Sequence, residues 1–312
     1  MIEAVDVDLG GPISLKATLE CGQAFRWRRT SLPGRPELTV AYRGVMPLPE
    51  DSRGSTKRGP AGRHLAVIAA QDNTVTCRLT IAWEPGAARG ERVREAALKY
   101  FSADDDLASI ERTLSCADSV MAEAVPLGHG LRVLRQDPWE CLASYVLSIN
   151  NSIPNISRSI EHLARCLGDN AGLGEFAFPS PPTVARQENE ILRQSKCGFR
   201  DRHLKDAAER VASGEVDLAA LDEMPAEQAR EKLMGIKGVG PKVADCVLLF
   251  AYHRLDVFPV DVWIARAMSR FYLRDLPVTP KAARDEGTRR FDRLAGYAQE
   301  HLFYYVRSTP SA

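Results

Sequence analysis

The segment 231–264, EKLMGIKGVGPKVADCVLLFAYHRLDVFPVDVWI, constrains the chain more than any other stretch. Residues 231–234 close a short helix, and residues 235–240 form a tight turn punctuated by Gly235, Gly238 and Gly240. Glycine tolerates positive φ and lets another backbone approach closely. Pro241 then takes the first position of a new helix, where a missing N–H costs nothing. Residues 242–251 continue that helix as an apolar run, so the spacing predicts a helix–hairpin–helix over 231–251. The turn presents backbone N–H groups beside a helix N-terminus, a site suited to one phosphate of a DNA backbone.

Lys242 opens the second helix, and Asp261 follows 19 residues later in a loop, 256–262, that also carries Pro259. A lysine in a first helical turn is usually solvated, and an aspartate in a loop is usually a cap. The setting gives the pair a second reading. An amine at a positive helix N-terminus, beside an apolar face, is disfavoured as an ammonium by desolvation and by the dipole. That is what an amine nucleophile requires.

GVGPKVADC (238–246) with VFPVDVW (257–263) resembles the helix–hairpin–helix DNA glycosylases that carry a catalytic lysine and a Gly-Pro-Asp-type loop. Within that superfamily, GVGPKVADC and PVDV are most similar to the 8-oxoguanine DNA glycosylases. The resemblance extends over residues 15–307 and implies an α+β fold. An antiparallel β-rich, TBP-like lobe with a terminal helix is expected over 1–112, and an all-helical glycosylase region over 113–312.

Composition agrees with an intracellular globular protein. The 312 residues suffice for two or three lobes. No apolar run is long enough to span a membrane, and MIEAVDVDLGG has no secretory pattern. The seven cysteines show no C-x-x-C spacing, so neither zinc nor a disulfide framework is expected. The expected location is the cytoplasm or nucleoid of a prokaryote, or the nucleus of a eukaryote. Net charge is zero, with 41 basic and 41 acidic residues, whereas nucleic-acid binders are commonly basic. DNA contacts should therefore be local, with clusters at 26–29 (RWRR) and 200–205 (RDRHLK).

Taken in order, 38–48, 64–70 and 73–83 have the β-branched content of strands, while 13–20 and 24–29 read as short extended or turn-flanked pieces. Residues 50–62 read as a mobile hairpin loop. Residues 91–100 form a helix, with the next capped at Ser102 or Asp104. Beyond 113, helices are expected at 118–125, after the Asp137-Pro138 start, and from Asn155 to a C-cap at Gly168. A Gly/Pro-rich link, 169–182, precedes short helices leading into the hairpin, and two more helical stretches follow Asp261 to the end.

The resemblance also implies site residues. CGQAFRW (21–27) is similar to the family's signature in the β-rich lobe, and by it the Gly22 carbonyl accepts from N7–H of 8-oxoguanine. Normal guanine has only a lone pair at N7, so one carbonyl attracts the lesion and repels guanine. In GYAQEHLFYY, Gln299 and Phe303 share a helix face. Periodicity alone makes Phe303 a core residue and Gln299 a surface one. The resemblance makes both pocket residues, with Gln299 reading a base edge and Phe303 stacking. It likewise implies Ile153, Cys246, Phe250 and Pro259 in the base pocket. Asn150 corresponds to the residue that plugs the emptied stack. Phe199 wedges beside the orphan cytosine and Arg200 donates to it, while Gly238, Val239 and Gly240 hold the backbone. The sequence departs from the pattern at Asn155, where animal enzymes have a second cytosine-reading arginine, and at Trp263, where a histidine is usual.

The implied activity is removal of 8-oxoguanine, and of formamidopyrimidine-guanine, from duplex DNA through a Lys242 Schiff base with Asp261 stabilising positive charge, then β-elimination. No catalytic metal, iron–sulfur cluster or other cofactor is expected. The hairpin carbonyls near Met234, Ile236 and Val239 are candidate ligands for a structural monovalent or divalent cation. A monomer that binds DNA and no membrane is expected. The rivals are a noncatalytic hairpin DNA-binding protein and an endonuclease III-like glycosylase for oxidised pyrimidines. The second usually carries four cysteines after the aspartate, and no cysteine here follows Cys246.

Overall fold

A computed structural model describes residues 2–49, 64–274 and 278–309, so the loop expected at 50–62 lies outside the described residues. The N-terminal lobe is a five-stranded antiparallel sheet of order β1-β5-β4-β3-β2. Its strands are β1 (Glu3–Ile13), β2 (Arg28–Thr30), β3 (Val40–Pro47), β4 (His64–Gln71) and β5 (Thr76–Trp83). Val7, Leu9, Leu79 and Ile81 turn one face inward, against Val93, Ala97 and Tyr100 of α2 (Gly90–Tyr100). The three long expected strands are present. The sequence reading missed β1, whose alternation of Val5, Val7 and Leu9 is interleaved with Asp6 and Asp8, poor strand formers that face out along a sheet edge.

Other corrections concern short elements. The piece expected as extended at 13–20 is instead α1 (Leu15–Glu20), capped by Ser14, whose hydroxyl accepts from the Ala17 N–H at 3.2 Å. The helix after α2 is α3 (Leu107–Ser115), and its cap is Asp106 rather than Ser102 or Asp104. Ser102 is buried at φ 49°, its hydroxyl donating to the Val133 carbonyl at 2.7 Å. α3 spans position 112 and contributes Leu107 and Leu114 to the helical core.

The helical region runs through α4 (Ser119–Leu127), α5 (Pro138–Leu147) and α6 (Ile153–Leu167). Asp137 caps α5 as its position predicts, accepting from Glu140 N–H at 2.8 Å. α6 starts two residues before Asn155, and its final cap, Gly168, is extended rather than left-handed. A side chain there would fall 1.9 Å from the Ala177 carbonyl oxygen, so close packing excludes one. The link expected at 169–182 contains a small hairpin of β6 (Asn170–Gly172) and β7 (Glu175–Phe176). Then follow α7 (Pro181–Ala185), α8 (Asn189–Arg193), α9 (Arg200–Ala212), α10 (Ala226–Met234), α11 (Pro241–Tyr252), α12 (Val262–Tyr272), α13 (Pro280–Phe291) and α14 (Ala295–Ser308). Their core includes Leu142, Val146, Leu248 and Tyr297.

Two buried polar side chains lock the lobes together. Gln23 donates to the carbonyls of Thr18 and Arg132, both at 2.8 Å, and accepts from Leu134 N–H at 2.8 Å. Arg132, fully buried, donates to the carbonyls of Pro12 at 2.9 Å and Ser102 at 2.7 Å. Replacing Gln23 by leucine would strand the Arg132 carbonyl and the Leu134 N–H, each worth about 1–3 kcal/mol, and leave the Thr18 carbonyl only the weak Cys21 thiol donor. Gln23→Leu should lose about 3 kcal/mol or more of stability in urea unfolding.

Candidate active site

The hairpin forms as the glycine spacing predicts. Gly235 N–H still bonds back to Glu231 at 3.1 Å, Gly238 takes φ 85°, and Val239 N–H closes on the Ile236 carbonyl at 3.0 Å. Gly240 has no side chain with which to cap α11, and Pro241 is its first residue. The first-turn amides are thus left to an external acceptor. A buried ion pair ties the two helices of the hairpin: Arg230 Nε donates to Asp245 Oδ1 at 2.6 Å. Burial pushes the Asp245 carboxyl up to about 6, against the pull of Arg230.

Lys242 lies one residue into α11, partly buried, with Nζ 4.7 Å from the ring centroid of Tyr145. A lysine over a tyrosine face is attracted as the cation. Tyr145 itself is buried, stacked on Phe250 at 5.7 Å, and its hydroxyl donates to the Gln23 carbonyl at 3.2 Å. Asp261 is the N-cap of α12, Oδ1 accepting from Ile264 N–H at 2.8 Å, so the helix end fixes its orientation.

Lys242 and Asp261 line one cavity of about 920 Å³. Its walls bring together elements distant in sequence. Gly22 comes from the end of α1, Asn150 and Ile153 from the α5–α6 junction, and Gly238 and Gly240 from the hairpin. Cys246 and Phe250 come from α11, Pro259 from the loop before α12, and Gln299 and Phe303 from α14. Burial pushes the Cys246 thiol up to about 12, so that wall is uncharged. Gly22 sits at φ 103°, which an L side chain rarely adopts, and a Cβ there would meet Arg307, Ile153 and Phe303 at 3.3–3.4 Å.

The remaining expected residues stand elsewhere. Val239 is buried in the helical core. Phe199 is 54% exposed, with the Arg200 guanidinium 4.6 Å from its ring centroid. Arg200 donates to the carbonyls of Ile149 at 2.5 Å, Asn150 at 2.6 Å and Cys197 at 3.0 Å. It therefore also props the loop that carries Asn150, which takes φ 47°, a conformation asparagine tolerates. Asn155 accepts from Arg158, one turn on, at 3.0 Å.

Sequence reasoning missed Tyr145, Glu300 and Arg307, all on the cavity wall. Only the position of Glu300 beside Gln299 could have signalled one of them. It noted Trp263 only as standing where a histidine is usual and left its rim neighbours unread: Val262 is 63% and Trp263 48% exposed, and Arg266 lies 5.9 Å from the Trp263 ring centroid. Among the described residues no cluster of His, Cys, Asp and Glu could hold a metal ion.

Comparison with known proteins bears on this cavity. The family model described as 8-oxoguanine DNA glycosylase, N-terminal domain, matches residues 9–142. A probable N-glycosylase/DNA lyase of Methanothermobacter thermautotrophicus is 33% identical over 217 residues, 61% of this chain and 68% of that protein. The chain belongs to the 8-oxoguanine DNA glycosylase family. An N-glycosylase/DNA lyase of Arabidopsis thaliana is 27% identical to this family member over 306 residues, 93% of this chain and 76% of that protein. The 8-oxoguanine glycosylase/lyase of Clostridium acetobutylicum, solved with double-stranded DNA containing cytosine opposite 8-oxoguanine, is 30% identical with a TM-score of 0.81. That match covers 99% of this chain and 98% of that one.

Three substitutions at two positions separate structural from chemical roles in this family member. Asp261→Asn keeps a good cap and should leave stability within about 0.5 kcal/mol, while Asp261→Ala should cost about 1 kcal/mol in thermal unfolding. Gly22→Ala should cost about 1–2 kcal/mol by backbone strain alone and, by narrowing the cavity, lower affinity for lesion DNA in a gel-shift titration.

Proposed function

We propose that the protein excises 8-oxoguanine opposite cytosine from duplex DNA and then nicks the strand, with the same lysine serving both steps. The observation that carries this reading is one cavity lined by Lys242, Asp261, Gly22, Cys246, Gln299 and Phe303. DNA backbone docks on the hairpin amides, and the lesion nucleotide flips out at a cost of about a few kcal/mol. Asn150 fills the gap, with Phe199 beside the orphan cytosine. Arg200 braces this loop and keeps N–H donors that its three carbonyl partners do not use. The base enters between Cys246 and Phe303, with N7–H on the Gly22 carbonyl.

The Lys242 amine, having lost its proton, forms a bond to C1′ as the C1′–N9 bond breaks and 8-oxoguanine leaves with the electron pair. Asp261 faces the positive charge that develops on the sugar. Opening of the sugar at O4′ gives a protonated Schiff base. Loss of a C2′ proton then expels the 3′-phosphate, and water hydrolyses the imine to return the lysine. Formamidopyrimidine-guanine, which keeps the same pairing edge, is a second substrate of this reading. Asn155, in place of an arginine, makes orphan-base discrimination weaker than in enzymes with two arginines.

The hairpin also supports a structural cation: the Ile236 carbonyl accepts only one N–H, from Val239, and has a second lone pair to offer. Among the described residues no helix is long and apolar enough to cross a membrane. The proposed place of action is with the chromosome, in nucleoid or nucleus, as a monomer.

Borohydride trapping tests the reading. Wild-type protein should form a covalent adduct with a duplex carrying 8-oxoguanine opposite cytosine and none with undamaged or thymine-glycol duplexes. Lys242→Gln should form none. Free base without an adduct would mean that water, not Lys242, attacks. Binding with neither adduct nor base would favour a noncatalytic protein.

A further inference from the structure

Glu300 is a buried ionisable group in the cavity that the mechanism above leaves unused. It lies beside Gln299 on α14, is 3% exposed, and lines the same cavity as Lys242. Its Oε2 is buried without a hydrogen-bond partner, as is Oε1 of Gln299. Unpartnered buried oxygens are rare because they forfeit their hydration, and they point to a missing ligand.

The Glu300 carboxyl has the Cys21 thiol, joined in chain to Gly22, on one side and the Gln299 amide on the other, and Gly22, Gln299 and Glu300 all line the cavity. An 8-oxoguanine edge runs from the N7–H donor through the O6 acceptor to the N1–H donor. A carbonyl suits the first position and an amide oxygen the third. The middle position needs a donor. A carboxylate has none, whereas a neutral carboxylic acid has one O–H.

We propose that Glu300 acts as a neutral carboxylic acid whose O–H donates to O6 of the flipped base, making it a specificity-determining residue of the pocket. This rests on the 8-oxoguanine reading above. The groups facing Glu300 are Cys21 at the end of α1, Tyr145 on α5, Lys242 and Cys246 on α11, and Asp261 at the head of α12. Arg307, on its own helix, donates to the Cys21 carbonyl at 3.3 Å. Burial is the largest influence on Glu300 and, with the charge of Asp261, pushes its carboxyl up to about 7, while Cys21, Gln299 and Lys242 pull it down. A bound base would exclude more water and act in the same direction as burial. The acid is therefore neutral at low pH. Ionisation at higher pH removes the donor and sets a negative charge against O6.

The test is single-turnover release of 8-oxoguanine by wild type, Glu300→Gln and Glu300→Leu from pH 6 to pH 9, with folding checked by thermal melting. Glutamine keeps an N–H donor of similar size and cannot ionise. The ratio of wild-type to Glu300→Gln rates cancels titrations that both proteins share. It should fall at least about tenfold from pH 6 to pH 9, as for loss of a charge-sensitive hydrogen bond. Glu300→Leu should release base about tenfold or more slowly than wild type at pH 6. A ratio that stays constant or rises with pH would overturn the inference, as would a leucine variant as fast as wild type at pH 6. Absence of base release by wild type at every pH would instead overturn the 8-oxoguanine reading, and this inference with it.

Discussion

The arrangement of the cavity depends on one buried amide, Gln23. Its N–H groups and oxygen are spent on Thr18, Arg132 and Leu134, and its backbone carbonyl accepts from Gln136 at 2.7 Å and Tyr145 at 3.2 Å. These partners lie on α1, on the strand-like stretch before α5, and on α5 itself. A residue so fully bonded has little freedom, and Gly22 is joined to it. The left-handed backbone at Gly22 is held in place by bonds its neighbour makes. Glycine adopts such a backbone without steric cost, so the neighbouring bonds need only select it.

The rest of the site uses the ends of helices as mounts. Lys242 opens α11, Asp261 caps α12, Asn150 follows α5, and Gly22 follows α1. An element end is rigid on one side and open on the other, so it can present a side chain or a carbonyl without burying it. The Arg230–Asp245 pair fixes the hairpin in the same spirit, tying α10 to α11 one turn behind the lysine. Because these restraints exist without DNA, base entry in the proposed complex has little reorganisation to accomplish around Lys242.

Much of this was legible in the sequence for a definite reason. The hairpin, Lys242, Asp261 and CGQAFRW are contiguous strings in which glycine, proline and charge occupy positions that backbone geometry demands. Gln299 and Phe303 were legible once a motif set the helix phase. Tyr145 and Glu300 were not, because a tyrosine in an apolar helix and a glutamate in a mixed one have ordinary structural uses, and only packing shows that both face Lys242. The β6–β7 hairpin was hidden by glycines that read as link. The bracing of the Asn150 loop by Arg200 was hidden because its carbonyl partners carry no side-chain signature.

The exposed pair Val262 and Trp263 has a consequence for how such a protein holds DNA. With no net positive charge, the affinity it draws from displaced counterions comes from local phosphate contacts, and that part fades as salt rises. Apolar side chains that meet the sugar and base faces at the cavity rim gain from dehydration instead, and salt does not screen that gain. In the proposed complex, grip at high ionic strength is therefore set by the area these two residues cover, and discrimination between damaged and intact sites is less eroded by salt than overall charge alone would dictate.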